Sequence, residues 1–356
     1  MPQKDLIIVA NSPGELSALV KPVAEVASET FRITLLLTPC QYTSGKEKEY
    51  VQTLKGITHF ISQEGYKNWI LRNKKPDIEF SKEGIVLYLG GDLAHAMLVA
   101  KKAGYPAYAY VQDFVSWKGF YKKFFVPDEH SLKKLKLKDK YEIVGNLMVD
   151  SIADLPKWTP ESNVITFMPG SREWQIKHTT PIYEQIMAGI RDQVPGIKFQ
   201  LVSSPFQPAI PIEGVKTISF EEAHNSELVI TIPGTNTARI AARGIPMIVV
   251  FPLDNPDVIP LEGLLHYITS IPYFGSKIKR YFAELMNKQT KFFALPNIKA
   301  DREVVEEIRG KIDPKEIADK ALALLKDQER RKEISKEMVE ALGKPGAAQQ
   351  IIQRLK

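Results

Sequence analysis

Short apolar runs alternate with stretches of helical periodicity along most of this chain. Asp5–Ala10, Ile33–Thr38, Ile85–Leu89, Ala107–Val111, Phe124–Val126 and Glu142–Val144 read as strands of a first half. Helical patterns such as Glu15–Ser28 and Leu93–Ala103 lie between them. The second half repeats the scheme with Val164–Met168, Lys198–Ser203, Leu228–Thr231 and Met247–Phe251, and with helices after Arg172, Thr235 and Pro314. Strands that alternate with helices predict parallel sheets covered on both faces. The expectation is an α/β fold of two Rossmann-like, doubly wound domains. Asp154-Leu155-Pro156-Lys157-Trp158-Thr159-Pro160 is the best linker. The domains expected are 1–155 and 156–330, followed by a helical tail, 331–356, that could pack back on the first. Two such domains put a ligand at the carboxyl ends of strands, in the cleft between them.

Four turns at predicted strand ends carry candidate chemistry. Val164–Met168 runs into Pro169-Gly170-Ser171-Arg172, and a helix follows with Ile182, Ile186 and Ile190 at four-residue spacing. Such a turn gathers unpaired backbone N–H groups at the positive end of a helix, and Arg172 adds a cation of fork geometry, which together suit a diphosphate. An ordinary strand-to-helix turn is the alternative. Thr231-Ile232-Pro233-Gly234-Thr235-Asn236-Thr237 repeats the arrangement in the same half, with hydroxyls and N–H groups suited to phosphate oxygens. Two such turns in one domain point to a phosphate more strongly than either alone. In the first half, Asn11-Ser12-Pro13-Gly14-Glu15 offers close backbone approach at Gly14 and a carboxylate, Glu15, in the first helical turn; a plain turn is again the alternative. Leu89-Gly90-Gly91-Asp92-Leu93 brings Asp92 to a strand end, where a general base could reach a sugar hydroxyl. An N-cap for the helix from Leu93 explains Asp92 as well, and the two roles are compatible.

The 356 residues, 44% hydrophobic and 25% charged, have the composition of a folded protein large enough for two domains. Cys40 is the one cysteine, so neither an internal disulfide nor a cysteine-based zinc site can form. It reads as a packed thiol at a strand end. MPQKDLIIVANSPGE reads as a first strand rather than a signal peptide, and no apolar run reaches the length of a membrane span, so a cytoplasmic protein is expected. Net charge is +6, with eight lysines between Lys118 and Lys140 and a second cluster of Lys277, Lys279, Arg280, Lys288 and Lys291. Such clusters fit an anionic membrane, an anionic substrate or nucleic acid, or else a merely solvated surface. No zinc finger or basic–aromatic repeat supports nucleic acid. Leu261, Leu264, Leu265, Ile268, Ile271, Pro272, Tyr273 and Phe274 precede the second cluster. An apolar stretch followed by lysines suits peripheral membrane attachment, and a buried helix with surface lysines is the alternative. His95, His178 and His266 read as structural or solvent-facing, and six histidines without ligand spacing give no metal site.

PGSRE, then PGTNTARIAARGIPMIVVFP, then FFALPNIKADREVVEEIRGKIDPKEIADKALALL resemble, in this order, the lipid-A-disaccharide synthase family of inverting GT-B glycosyltransferases. NSPGE, GGDLAHAMLVAKKAGYPAYAYV and FFVPDEHSLKK…YEIVGNLMVD correspond to segments of its first domain, so the resemblance covers nearly the whole chain. It implies transfer of a hexose from a UDP-sugar to a lipid-linked or glycolipid acceptor. The first domain would take the acceptor and the second the nucleotide sugar. Gly170, Ser171 and Arg172, completed by Gly234, Thr235 and Asn236, would hold the donor diphosphate. Glu307 would meet the uridine ribose or the sugar, and Asp92 would be the general base, with Glu15 the next carboxylate to consider. The resemblance requires no cofactor and no metal. It implies attachment to the inner face of the plasma membrane, no nucleic-acid partner, and it admits a homodimer.

The chain departs from the family pattern in its pockets. Arg239 stands where the family has a glutamate, Glu306 where it has a proline, and Asn146 where it has a histidine; Gly91 and Ala94 flank the aspartate in place of the usual Pro and Asn. These departures leave open a UDP-sugar 2-epimerase of the same fold, or a nucleotide-sugar-binding protein without turnover.

Overall fold

The structure, a computed structural model, describes residues 3–40, 44–253, 285 and 289–356. The chain forms two compact units, Met1–Asp154 together with Gly343–Lys356, and Leu155–Leu342. The boundary falls inside the proline-bearing stretch singled out as a linker.

Unit 1 is built on seven parallel strands, β1 (Lys4–Ala10), β2 (Phe31–Leu37), β3 (Ile57–Ile61), β4 (Gly84–Tyr88), β5 (Ala107–Tyr110), β6 (Lys123–Val126) and β7 (Tyr141–Ile143), in the order β3-β2-β1-β4-β5-β6-β7. Its helices are α1 (Pro13–Glu15), which continues as a π-helical run Leu16–Val20 into α2 (Lys21–Ala27), then α3 (Glu47–Thr53), α4 (Gln63–Ile70), α5 (Leu93–Ala103), α6 (Glu129–Leu135) and α7 (Leu147–Asp150). β1 is buried along all but its first residue, as expected of a central parallel strand covered on both faces. One face packs Ile7, Val9, Leu36, Val86, Val99 and Phe124 into a single core. At the amino ends of the strands, buried Asp5 takes hydrogen bonds from Arg32 Nε (2.7 Å), Ser81 N (2.6 Å) and Tyr105 Oη (3.0 Å), so a carboxylate deep in the fold is fully compensated.

Unit 2 has six described parallel strands, β8 (Val164–Met168), β9 (Lys198–Val202), β10 (Lys216–Ile218), β11 (Leu228–Thr231), β12 (Met247–Pro252) and β13 (Glu306–Gly310), in the order β10-β9-β8-β11-β12-β13. Its described helices are α8 (Glu173–Arg191), α9 (Thr235–Arg243), α10 (Leu295–Ala300), α11 (Pro314–Lys326) and α12 (Gln328–Leu342). Ile165, Phe167, Ile186, Ile230, Ile248 and Ile317 centre its core. Buried Arg243 ties α9 to the entry of the unit by donating to the carbonyls of Pro156 (3.1 Å) and Phe220 (2.7 Å).

The last helix, α13 (Ala347–Leu355), belongs to unit 1 and packs on α2 and α7. Its N-terminus is capped from α7: Asp150 accepts from Gly346 N (2.7 Å) and Ala348 N (2.6 Å). The helix just before it, α12, stays with unit 2.

Ten strands coincide with the sequence reading to within two residues at either end. β3, β10 and β13 are additional. The apolar stretch from Leu261 to Phe274, His266 and most of the Lys277–Lys291 cluster lie outside the described residues.

Candidate functional site

In each unit the candidate turns flank the point where the chain reverses its winding direction. β1 lies between β2 and β4, so the connections leaving β1 and β4 diverge and open a crevice at their carboxyl ends. β1 delivers Asn11–Glu15 there and β4 delivers Leu89–Asp92. β8 and β11 are likewise neighbours, and they deliver Pro169–Arg172 and Pro233–Asn236.

Glu15 joins the two turns of unit 1. Its Oε2 accepts from Asn11 N (2.8 Å) and Ser12 N (3.1 Å), closing a capping box with Ser12, and its Oε1 accepts from Gly91 N at 3.2 Å. Burial pushes the Glu15 carboxyl up, against the opposing pull of these amides. Gly90 makes the contact possible, because a Cβ there would fall 2.0 Å from the Glu15 carboxylate. Gly14 sits half-buried in α1, where its carbonyl accepts from Ser17 Oγ.

Asp92 caps α5 and is exposed; its Oδ1 accepts from Ala94 N at 2.8 Å. One carboxylate oxygen suffices for the cap. The turn beneath it is braced by Tyr88 Oη donating to Gly91 O (2.7 Å) and Tyr121 Oη donating to Leu93 O (2.6 Å). In the first turn of α5, His95 Nδ1 lies 2.5 Å from Tyr66 Oη, with the two rings edge to face. Burial, assisted by the charge of Asp92, pushes the Tyr66 phenol up to about 12. Burial also holds His95 below its ordinary value, partly offset by Asp92. A phenol that keeps its proton donates to Nδ1, which leaves the neutral imidazole's proton on Nε2. The sequence placed His95 among structural or solvent-facing histidines, and Tyr66 carried no signal there because it comes from α4.

In unit 2 the Pro169–Arg172 turn is more occupied than its sequence suggested. Ser171 N and Arg172 N both donate to Gln175 Oε1, each at 3.2 Å. These amides, expected to stand unpaired, are covered by a side chain from their own helix, and an incoming anion would have to displace it. Gly170, at φ +103°, touches the same amide: a Cβ there would lie 2.5 Å from Gln175 Oε1 and 2.7 Å from Ile232 Cδ1. Arg172 is half-buried at the N-cap of α8. On the neighbouring strand, Gly234 caps α9, with Thr235 and Asn236 half-buried in its first turn, where amide groups precede the helix's own hydrogen-bond ladder. Thr237 turns inward: its hydroxyl donates to Gly234 O (2.8 Å) and accepts from Leu295 N (3.3 Å).

Glu307 holds a loop. Its carboxylate accepts from Phe293 N (3.0 Å), Ala294 N (2.8 Å) and Asn297 Nδ2 (2.9 Å), fastening the segment before α10 to β13. The neighbouring Glu306 pairs with Lys320. Arg239 lays its guanidinium on Phe220, 3.9 Å from the ring centroid. Among the described residues no group of His, Cys, Asp and Glu could hold a metal ion, and no helix is long and apolar enough to cross a membrane.

No protein-family model matches the chain. Its sequence is 25% identical over 103 residues to the lipid-A-disaccharide synthase of Geobacter metallireducens, an alignment that spans 26% of this chain and 27% of that protein. A UDP-GlcNAc 2-epimerase from Neisseria meningitidis, solved with UDP-GlcNAc bound, superposes with a TM-score of 0.56 at 15% identity, over 99% of both chains. Acinetobacter baumannii MurG superposes with a TM-score of 0.53 at 11% identity, again over 99% of both. At such identities the likeness is one of fold. The protein has the GT-B class of fold, two parallel-sheet Rossmann-like units.

Proposed function

We propose that this protein is an inverting glycosyltransferase that moves a hexose from a UDP-sugar to a lipid-linked or glycolipid acceptor. The observation that carries the reading is the pair of glycine-bearing strand-to-helix turns on adjacent strands β8 and β11. In this reading unit 2 is the donor half. Gly170, Ser171 and Arg172 meet one side of the diphosphate as the Gln175 carbonyl swings away, and Gly234, Thr235 and Asn236 meet the other. Unit 1 is the acceptor half, and Asp92 is the base. As the acceptor hydroxyl attacks the anomeric carbon, its proton passes to Asp92, the glycosidic bond electrons leave with UDP on the opposite face, and the centre inverts. Arg172 and the helix-start amides stabilise the charge on the departing diphosphate. The local likeness to the Geobacter sequence favours a lipid A precursor as acceptor, and the family resemblance of the sequence adds peripheral attachment to a membrane.

Titration calorimetry tests the donor half: UDP binds the wild type, and Arg172→Ala binds at least about tenfold more weakly. Equal affinities would remove Arg172 from the diphosphate. A second reading, UDP-sugar 2-epimerase, draws on the gathering of Glu15, Asp92 and His95 around one crevice, since elimination and re-addition need several proton-transfer groups. Sugar interconversion without acceptor would establish it; UDP release that depends on an acceptor establishes the transferase.

A further inference from the structure

The connection from β5 to β6, residues 111–122, carries two of the six large apolar side chains that stand out from the surface of the described residues. Phe114 is 71% exposed and Trp117 53%. The loop that presents them is held at several points. Asp113 pairs with Lys134 of α6 at 2.7 Å, and Lys118 Nζ donates to the carbonyls of Leu135 (3.2 Å) and Lys136 (3.3 Å). Val115, Phe120 and Tyr121 pack on the core of the unit. Trp117 itself sits at φ +54°, a left-handed conformation unfavourable to a bulky residue and kept only where the surroundings impose it. Two aromatic side chains are thus fixed outward, three residues apart, on a braced loop.

Lysines are dense on the loop and on the element it contacts. Lys118 and Lys122 are exposed on the loop, Lys133 and Lys134 on α6, and Lys136, Lys138 and Lys140 on the segment that follows α6. The exposed acids of the same region are Asp113, Glu129 and Asp139, and Asp113 is already paired. Exposed aromatic side chains on a lysine-rich face match the boundary between anionic headgroups and acyl chains, where Trp and Phe shed water and the ammonium groups stay among phosphates. Single-stranded nucleic acid would call instead for a basic groove with stacking platforms along it, whereas these rings stand on a protruding loop.

We infer that the Phe114–Trp117 loop and the adjoining lysines of α6 form the surface by which this protein sits on an anionic lipid bilayer. The surface stands on its own observations. Its purpose rests on the transferase reading: the loop starts at the carboxyl end of β5, the edge of the sheet that also carries Asp92, so a lipid-linked acceptor would reach the base from the bilayer.

Co-sedimentation of the full chain tests this with phosphatidylcholine vesicles, either pure or containing about a third phosphatidylglycerol. The wild type should bind only the anionic vesicles, and less at high salt. Phe114→Ser with Trp117→Ser should bind them at least about tenfold more weakly while melting at the same temperature, because both side chains are exposed. Lys133→Gln with Lys136→Gln should flatten the salt dependence. Brominated lipid should quench more fluorescence in the wild type than in Trp117→Phe. Undiminished vesicle binding by the double serine variant overturns the inference. So does binding of single-stranded RNA in place of vesicles, or a dimer that the double variant dissociates while vesicle binding is unchanged. UDP calorimetry on the same samples keeps the two readings apart: vesicle binding without UDP binding removes the transferase and leaves the surface, and the converse removes the surface alone.

Discussion

Glu15 and Asp92 meet different neighbours, and the neighbours separate their roles. Glu15 spends both oxygens on backbone amides of two turns, whereas Asp92 needs only one for its cap. Glu15→Ala would strand the amides of Asn11, Ser12 and Gly91, a loss of about 2–4 kcal/mol. Gly90→Ala drives a methyl into the same carboxylate and should cost a similar amount, about 1–3 kcal/mol. Because the two changes act on one contact, the double variant should lose clearly less than their sum, and urea denaturation of the four proteins measures this. Strict additivity would mean that Glu15 and Gly90 do not meet. Asp92→Asn keeps the capping oxygen and should hold the fold within about 1 kcal/mol. It cannot accept a proton, so turnover should fall roughly a hundredfold or more. Turnover near that of the wild type would leave Asp92 as a cap alone. The aspartate, the two glycines and the Glu15 turn were legible in the sequence because strand-end turn chemistry is local. The Gln175 amide over Ser171 and the Tyr66 phenol on His95 were not, since each is a side-chain choice settled only by packing.

At the scale of elements, the strands absent from the sequence reading have one thing in common. β3, β10 and β13 each lie at the edge of a sheet. An edge strand is covered on fewer sides and carries polar residues that protect its unpaired rim, as Lys216, Thr217, Glu306 and Arg309 do here; in these three the apolar run is too short to register, whereas the fourth edge strand, β7, continues into Val144 and did register. Central strands such as β1 and β8 are buried nearly throughout and announce themselves. The place of α13 was also only partly visible, because a short amphipathic helix at the end of a chain fits many grooves. Asp150 gives it one address by capping it from α7. Asp150→Ala should therefore lower the stability of unit 1 by about 1–2 kcal/mol and open α13 to early proteolysis. Limited digestion with the wild-type pattern would mean that packing on α2 holds the helix without its cap.

For the whole molecule, two units with separate cores mean that a ligand held by one of them stabilises that one first. Both phosphate-type turns belong to unit 2, and Asp92, Glu15 and His95 belong to unit 1. If UDP binds as proposed, its free energy is added to every opening of unit 2 that destroys the turns after β8 and β11. At a hundredfold excess over Kd that addition is about 2.7 kcal/mol, which slows amide exchange through such openings about a hundredfold. Hydrogen exchange read by mass spectrometry should then show UDP protecting Val164–Met168 and Leu228–Thr231, while Lys4–Ala10 and Gly84–Tyr88 exchange as before. Equal protection of both units would mean that they open together as one cooperative body. Protection of the unit 1 strands alone would move the nucleotide to the crevice of Asp92, and the assignment of donor and acceptor halves would have to be reversed.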